Sequence, residues 1–169
     1  MAMERLWAPW RMAYIARDGK KDEGECFFCR AWRETGQEKK HLLLARSGGG
    51  LVMLNRYPYT SAHLLIAPAS HLGAFEDIGP EEGGRLWSLT AFAKKALSRA
   101  LAPHGFNIGI NQGRPAGAGV LDHLHIHLVP RWEGDVNFMP VLADARVISQ
   151  ALEETWEKLA PHFRDPPPA

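Results

Sequence analysis

The sequence of 169 residues has little cysteine, almost no net charge and no long apolar segment. Its two cysteines, Cys26 and Cys29, are too close together for an ordinary structural disulfide, which excludes a disulfide-stapled fold. Twenty Lys and Arg against 19 Asp and Glu leave a formal charge of +1, so nothing indicates bulk attraction to nucleic acid or to an anionic membrane. Because no apolar run approaches a membrane span and the N-terminus lacks a signal-peptide core, we expect a cytoplasmic protein.

Hydrophobic periodicity predicts an α+β fold. Apolar residues three and four apart predict a long helix over 80–101, and a C-terminal helix is expected over about 144–159. We expect an antiparallel sheet with the long helix packed on it. Strands are expected at residues 41–46, 51–56, 62–68, 106–111 and 122–130, with 138–141 as a further edge and a short helix at 30–34.

The chain divides into three segments by composition. Residues 1–25 form an N-terminal arm with three aromatic residues and a proline, which either covers a site or a partner subunit or packs on its own core. Residues 26–142 contain all the predicted strands and are expected to form the main folded domain. Residues 143–169 supply the C-terminal helix and a proline-rich tail.

Three histidines alternate with apolar residues between Asp122 and Pro130, namely His123, His125 and His127. Alternate side chains of a strand point to opposite faces, so the three rings are expected on one face. Neighbours on one face lie roughly 6.5–7 Å apart along a strand. Such a row suits metal ligation, nucleophilic chemistry or anion binding.

A histidine that faces a phosphate can act as a nucleophile. Neutral imidazole is available near neutral pH because its unperturbed pKa is about 6.5. It can attack an activated phosphorus and carry the nucleotidyl group as a phosphoramidate, which divides one displacement into two. A second histidine on the same face can donate to a phosphate oxygen or protonate the leaving group.

A glycine-rich loop, residues 111–119, leads into the histidine row. Small residues, Gly117 and Gly119 among them, let backbone N–H groups approach an anion, and Asn111 and Gln112 add side-chain donors. A flexible hairpin loop is the alternative when this segment is considered alone. Its position directly before the histidines favours phosphate binding.

The pair Cys26 and Cys29 is the second chemical signal. A tetrahedral zinc site needs four ligands, and His71 and His123 are candidates for the other two because each lies at the end of a predicted strand. Unligated thiols and a redox dithiol are the alternatives. No strand precedes the pair and two phenylalanines separate the cysteines, which favours zinc over redox chemistry.

Two further features flank the predicted sheet. Asn55 ends a strand, where its amide suits either a ribose hydroxyl or a turn. The aromatic and charged residues 131–138 follow the histidine strand directly, as a plain loop or as a segment within reach of a ligand.

These residues resemble the histidine-triad (HIT) superfamily of nucleotide hydrolases and transferases. The stretch HLHIHLV, residues 123–129, resembles the superfamily signature, NRYPYTSAHLLIAPASH (55–71) its second block, and residues 111–119 its phosphate loop. The similarity extends over about residues 26–142. LWAPWRMAYI near the N-terminus and PRWEGDVNFMPV are similar to the bacterial branch that includes dinucleoside polyphosphate phosphorylases and hydrolases.

The resemblance implies roles for individual residues. The middle histidine, His125, would be the nucleophile, and His127 would contact the phosphates and help to transfer protons. Asn55 would hold the ribose. Asn111 would hold phosphate, a role that falls to Gln112 if the loop differs in length from that of its relatives.

The resemblance also implies a structural zinc ion and a homodimer. The zinc ligands would be Cys26, Cys29, His71 and His123, and the metal would fix the start of the histidine strand against the N-terminal region. Members of the superfamily usually form homodimers. The long helix and the Trp-rich arm are the candidate contact surfaces.

The expected function is therefore cleavage or transfer of a nucleoside monophosphate unit from a dinucleoside polyphosphate such as diadenosine tetraphosphate. The expected intermediate is a nucleotidyl-histidine, which water or inorganic phosphate resolves. A nucleoside phosphoramidate hydrolase is the second hypothesis. A nucleotide-binding or signalling module with little turnover is the third. The expected ligand is a purine nucleotide or dinucleotide.

Overall fold

The computed structural model describes residues 25–47, 49–135 and 151–168. The expected N-terminal arm, the edge at 138–141 and the first half of the predicted C-terminal helix lie outside these residues. The elements are α1 (Phe27–Arg33), α2 (Glu38–His41), β1 (Leu43–Ser47), β2 (Gly50–Leu54), β3 (Leu64–Pro68), α3 (Pro80–Leu101), β4 (Gly105–Ile110), β5 (Ile126–Arg131) and α4 (Leu152–Leu159). Short 3-10 turns occur at Phe75–Asp77, Arg114–Ala116 and Ala160–Phe163.

The five strands form one antiparallel sheet in the order β1-β2-β3-β5-β4. The connection that contains α3 carries the chain from β3 to the far edge, and β5 then returns between β3 and β4. The predicted α+β class, with one long helix and a C-terminal helix, is confirmed. No helix in the described ranges is long and apolar enough to cross a membrane.

The sheet has a different apolar cover on each face. Leu54, Ile66 and Leu128 pack with Leu89 and Leu97 of α3 in the larger core cluster. On the opposite face Leu51, Met53 and Leu65 pack with Phe28 of α1. Because Leu65 is the cross-strand partner of His127, this second face is also the histidine face.

Strand β5 begins later than predicted. Its first paired residue is Ile126, so His123 and His125 lie in an extended segment before the ladder, not within it. Leu124 instead donates its backbone N–H to the carbonyl of Leu72, 2.6 Å away, outside the sheet. The predicted strand over 122–130 is therefore wrong in its first half, because the segment after β3 takes the hydrogen bond that a strand would have used.

Leu97 provides a test of this core. Leu97→Ala removes a fully buried side chain of α3 and should lower the free energy of unfolding by about 2–5 kcal/mol. Lys95→Ala, on the exposed side of the same helix, should change it by less than about 0.5 kcal/mol. Urea unfolding followed by circular dichroism measures both, and equal losses would contradict the assignment of the buried face.

Candidate metal centre and active site

Four predicted ligands meet between α1, the end of β3 and the segment before β5. One ligand atom from each of Cys26, Cys29, His71 and His123 lies within 4.8 Å of all the others. The Nδ1 atom of His123 is 3.4 Å from Cys26 Sγ and 3.2 Å from His71 Nδ1, and Cys29 Sγ is 3.2 Å from His71 Nδ1. Around zinc, with bonds of about 2.0–2.3 Å, tetrahedral edges are about 3.3–3.8 Å. Four of the six distances among these atoms are 3.2–3.6 Å, so the arrangement suits one tetrahedral site.

The second nitrogen of His123 has a fixed partner. Nε2 lies 3.0 Å from the carbonyl oxygen of Pro68, which can only accept, so the proton of the neutral ring is on Nε2. The lone pair of Nδ1 then points at the cysteines. Burial, and secondarily His71, lowers the pKa of His123, which keeps the ring in the neutral form that binds metals.

The Cys29 thiol is costly to ionise without a cation. Burial raises the pKa of Cys29, and the neighbouring Cys26 raises it further. A divalent cation at the cluster would supply the charge that lets both sulfurs bind as thiolates. The donor set therefore fits zinc better than it fits two ordinary free thiols.

Helix α1 holds the cysteines in place through contacts beyond the ligands. Phe28 is fully buried, and its ring centroid lies 4.9 Å from that of His123 and 5.2 Å from that of His125. Arg46 of β1 donates to the carbonyl of Ala31, 2.7 Å away, near the end of α1. The helix that carries the cysteine pair is thus fixed to the sheet at both ends.

His125 lies next to the four candidate metal ligands, and one of its ring nitrogens makes a hydrogen bond. Its Nδ1 is 2.9 Å from the carbonyl oxygen of His123, so Nδ1–H donates and Nε2 carries the lone pair. Burial lowers the pKa of His125, so the ring is neutral near pH 7. A neutral imidazole with a free Nε2 and a bonded Nδ1–H is the form expected of a nucleophile.

His127 is oriented by His63, a residue to which sequence reasoning gave no role. Tyr59 N–H donates to His63 Nδ1 at 3.2 Å, so the proton of a neutral His63 is on Nε2. That nitrogen is 3.0 Å from His127 Nδ1, which leaves the His127 proton on Nε2. Burial, with His125 second, lowers the pKa of His127 to about 4.

The Nε2–H group of His127 is available to a ligand. The atom is buried and has no hydrogen-bond partner among the residues that the structure describes. A buried donor without a partner is costly, so a ligand oxygen at this point would be favoured. His125 and His127 therefore present different groups to one ligand, since their ring centroids are 4.9 Å apart.

The role of His63 depends on the pairing of two strands that are distant in sequence. Leu65 of β3 lies opposite His127, and His63 is two residues from Leu65 on the same face. Diagonal cross-strand neighbours of this kind are about 7–8 Å apart, within reach of two imidazoles. His63 directly before β3 and His127 within β5, each beside apolar residues, were the signal in the sequence for this contact. The contact itself follows only from the register of the two strands.

Asn55 and the glycine-rich loop are both close to the histidines. Asn55 forms the turn that was one of its two predicted roles, with Oδ1 2.9 Å from Tyr57 N, and its Nδ2 lies 3.2 Å from His63 Nδ1. Asn111 follows Ile110, the partner of Ile126, which puts it at the level of the histidine row. Gly117, at φ +87, has the left-handed backbone that closes the 3-10 turn before the histidine segment.

The side chain of Gln112 is used within the protein. Its Oε1 accepts the N–H of Phe75 at 3.1 Å, and its Nε2 is 3.4 Å from Glu76 Oε2. This amide links the start of the loop to the segment after β3. Of the two candidate phosphate donors, Asn111 is the one whose side chain is not engaged in this link.

A charge pair fixes the chain where β5 ends. Arg131 binds Asp135 through Nε at 2.6 Å and Nη2 at 2.7 Å, and Trp132 N–H donates to the same carboxylate. Arg131 lowers the pKa of Asp135 to about 2. The first residues of the segment 131–138 are thus a fixed turn. Residues 136–138 lie outside the described ranges.

The fold and the histidine row define a class of nucleotide-processing domains. The family model described as "HIT domain" matches residues 35–134. The chain therefore belongs to the HIT domain family, as the sequence motif indicated.

Individual relatives narrow the comparison. The chain is 35% identical over 169 residues, 98% of its length and 87% of the relative's, to an AP-4-A phosphorylase of Mycobacterium tuberculosis. It is 31% identical over 70% of its length, and 60% of the relative's, to the adenylylsulfatase HINT3 of Arabidopsis thaliana. A Zn-bound histidine triad family protein of Mycobacterium smegmatis superimposes with a TM-score of 0.64 at 24% identity, covering 82% of this chain and 93% of that one.

The metal centre predicts a measurable stabilisation. Protein prepared without added zinc should contain about one equivalent per chain, and Cys26→Ser should contain far less. If the free zinc concentration is about a thousandfold above Kd, loss of the metal lowers the free energy of unfolding by about 4 kcal/mol. Since about 1 kcal/mol shifts the Tm of such a chain by about 2–4 °C, the Tm should fall by at least about 8 °C.

A chelator provides the matched control. It should lower the Tm of the wild-type protein to that of Cys26→Ser and leave the variant unchanged. Unchanged melting of metal-free wild-type protein would instead support unligated thiols.

Proposed function

We propose that this protein cleaves dinucleoside polyphosphates, diadenosine tetraphosphate among them, by transferring a nucleoside monophosphate unit to His125. The observation that carries the proposal is the pair of opposite groups on adjacent rings, a lone pair on His125 Nε2 and an N–H on His127 Nε2, neither of which has a hydrogen-bond partner within the described part of the chain. The kinship with an AP-4-A phosphorylase over almost the whole chain supports the choice of substrate.

In the first step His125 Nε2 attacks the α-phosphorus. The P–N bond forms as the P–O bond to the rest of the polyphosphate breaks, and the bonding electrons leave with that oxygen. The imidazole becomes positively charged, and the carbonyl of His123 stabilises it through the bond to Nδ1–H. The backbone amides of residues 111–119 and Asn111 hold the phosphate oxygens in this scheme.

His127 favours a phosphate leaving group over an amine. Its pKa of about 4 keeps the ring neutral at pH 7, and a neutral N–H is too weak an acid to give its proton away. It can still donate a hydrogen bond to the developing negative charge. A nucleotide leaves as an anion at pH 7, since its terminal phosphate has a pKa of about 6, whereas an amine must be protonated. The site therefore fits P–O cleavage better than P–N cleavage.

In the second step water or inorganic phosphate attacks the phosphorus of the intermediate. The new P–O bond forms as the P–N bond breaks, the electron pair of the P–N bond returns to His125 Nε2, and the attacking oxygen releases its proton to solvent. The product is a nucleoside monophosphate with water and a nucleoside diphosphate with phosphate. The metal centre serves structure in this proposal: zinc bound by the two cysteines, His71 and His123 would fix the backbone carbonyl that orients His125.

The test combines one variant with a choice of acceptor. Diadenosine tetraphosphate is incubated with and without phosphate, and products are separated by chromatography. ADP formed only with phosphate identifies a phosphorylase, and AMP without phosphate identifies a hydrolase. His125→Ala should lower kcat by at least about 10³-fold because the nucleophile is lost.

His162→Ala, in the turn after α4, is the matched control and should retain full activity. Retained turnover in His125→Ala would overturn the mechanism. A wild-type protein that turns over only phosphoramidates, or that binds nucleotide without product, would overturn the substrate.

We further propose that two copies associate through the β4 edge. Among the residues that the structure describes, this strand pairs only with β5, and Ile108 on it is 50% exposed. The opposite edge is covered, because Trp156 Nε1 donates to Leu43 O at 2.7 Å and Ser47 donates to Pro167. An open edge is a site for pairing with a second chain.

Light scattering tests the association. Wild-type protein should have the mass of a dimer, and Ile108→Lys should shift it to monomer. Trp87→Lys, on the exposed side of α3, tests the long helix as the alternative surface. A monomeric wild-type protein would contradict the association, and dissociation by Trp87→Lys alone would assign it to α3.

A further inference from the structure

Tyr59, in the turn between β2 and β3, makes three contacts with His63 and His127, the pair of rings joined by a hydrogen bond. Tyr59 donates its backbone N–H to His63 Nδ1, and its ring centroid lies 4.6 Å from that of His63. The same ring lies nearly parallel to His127, at an interplanar angle of 14° and a centroid distance of 5.8 Å. One residue therefore contacts both members of the pair.

The ring of Tyr59 packs on the more buried member of this pair. His63 is fully buried although it lies at the start of β3, whereas Tyr59 is 39% exposed. The partly exposed ring of Tyr59 therefore packs directly on the buried ring of His63. In a hydrogen bond that is shielded from water, the proton stays on the same nitrogen, because no water molecule competes for the donor or the acceptor.

We propose that Tyr59 is a positioning residue, which shields the His63–His127 hydrogen bond and so keeps the His127 Nε2–H directed at the substrate. Its effect on the reaction rests on the proposed function; its effect on the hydrogen bond does not. The hydroxyl is not part of this role, so an aromatic ring of the same shape should suffice. Removing the ring admits water to the pair and mixes the tautomers of His127.

The chain offers a close internal comparison. The Nδ1–H of His125 is also a buried imidazole donor, bonded to a backbone carbonyl, and Phe28 packs on its ring. It belongs to the same site and lies two residues before His127 in the chain. A change confined to the Tyr59 ring should affect the His63 proton and spare the His125 proton.

The experiment measures both protons directly. Nitrogen-15 spectra of histidine-labelled, metal-replete protein assign the tautomers, and His63→Gln and His125→Asn identify the two N–H signals. In Tyr59→Ala, exchange of the His63 Nε2–H with solvent should accelerate by at least about tenfold, with the His125 Nδ1–H unchanged. Tyr59→Phe should keep the wild-type exchange rate. Tyr57→Ala, in the same turn and more exposed, is the control for disturbance of the turn itself.

Kinetics supply the second readout. With diadenosine tetraphosphate, Tyr59→Ala should lower kcat by about tenfold with little change in KM, because the charge-stabilising donor is misdirected while binding is kept. Tyr59→Phe should restore kcat. A wild-type protein inactive on this substrate would refute the proposed function and leave the exchange result to decide on Tyr59.

Two results would overturn the role of Tyr59. One is an exchange rate of the His63 proton in Tyr59→Ala equal to that of the wild type. The other is equal acceleration of both protons together with a lower Tm, which would mean that the substitution loosens the whole site.

Discussion

The contact of helix α1 with the histidine face of the sheet is the constraint on which both parts of the site depend. It brings Cys26 and Cys29 to His71 and His123, and it places the ring of Phe28 against His123 and His125. The apolar residues of β2 and β3 on that face pack against this helix. The larger core packs α3 on the sheet, and the smaller core under α1 sets the positions of the cysteines and histidines.

The three histidines of the row have three different hydrogen-bonding states within five residues. His123 carries its proton on Nε2 because of the Pro68 carbonyl, and His125 carries it on Nδ1 because of the His123 carbonyl. His127 carries it on Nε2 because His63 faces its other nitrogen. Identical side chains thus differ in the group they present: a lone pair on Nδ1 for His123, a lone pair on Nε2 for His125 and an N–H on Nε2 for His127. Backbone carbonyls and one neighbouring strand determine which is which.

Local pattern was sufficient for the long helix, the fold class and the four clustered metal candidates, because periodicity and ligand type are written in adjacent residues. Contacts that depend on strand register could not be derived in this way. His63 meets His127 only because β3 and β5 pair with Leu65 opposite it, and Gln112 meets Phe75 across 37 positions of sequence. The start of β5 was misplaced for the same reason, since Leu72, far earlier in the chain, takes the bond of Leu124. The roles of the site residues in catalysis stay predictions.

The late start of β5 has a consequence for how this segment can vary. Within a ladder, the carbonyl of His123 would be taken by a neighbouring strand; outside it, that oxygen is free to serve the ring two residues on. The candidate metal ligand His123 and the proposed nucleophile His125 are therefore separated by one residue that lies outside the ladder. An insertion there would turn every following side chain to the other face of the sheet. The segment between His123 and β5 should therefore tolerate a substitution better than a change in length.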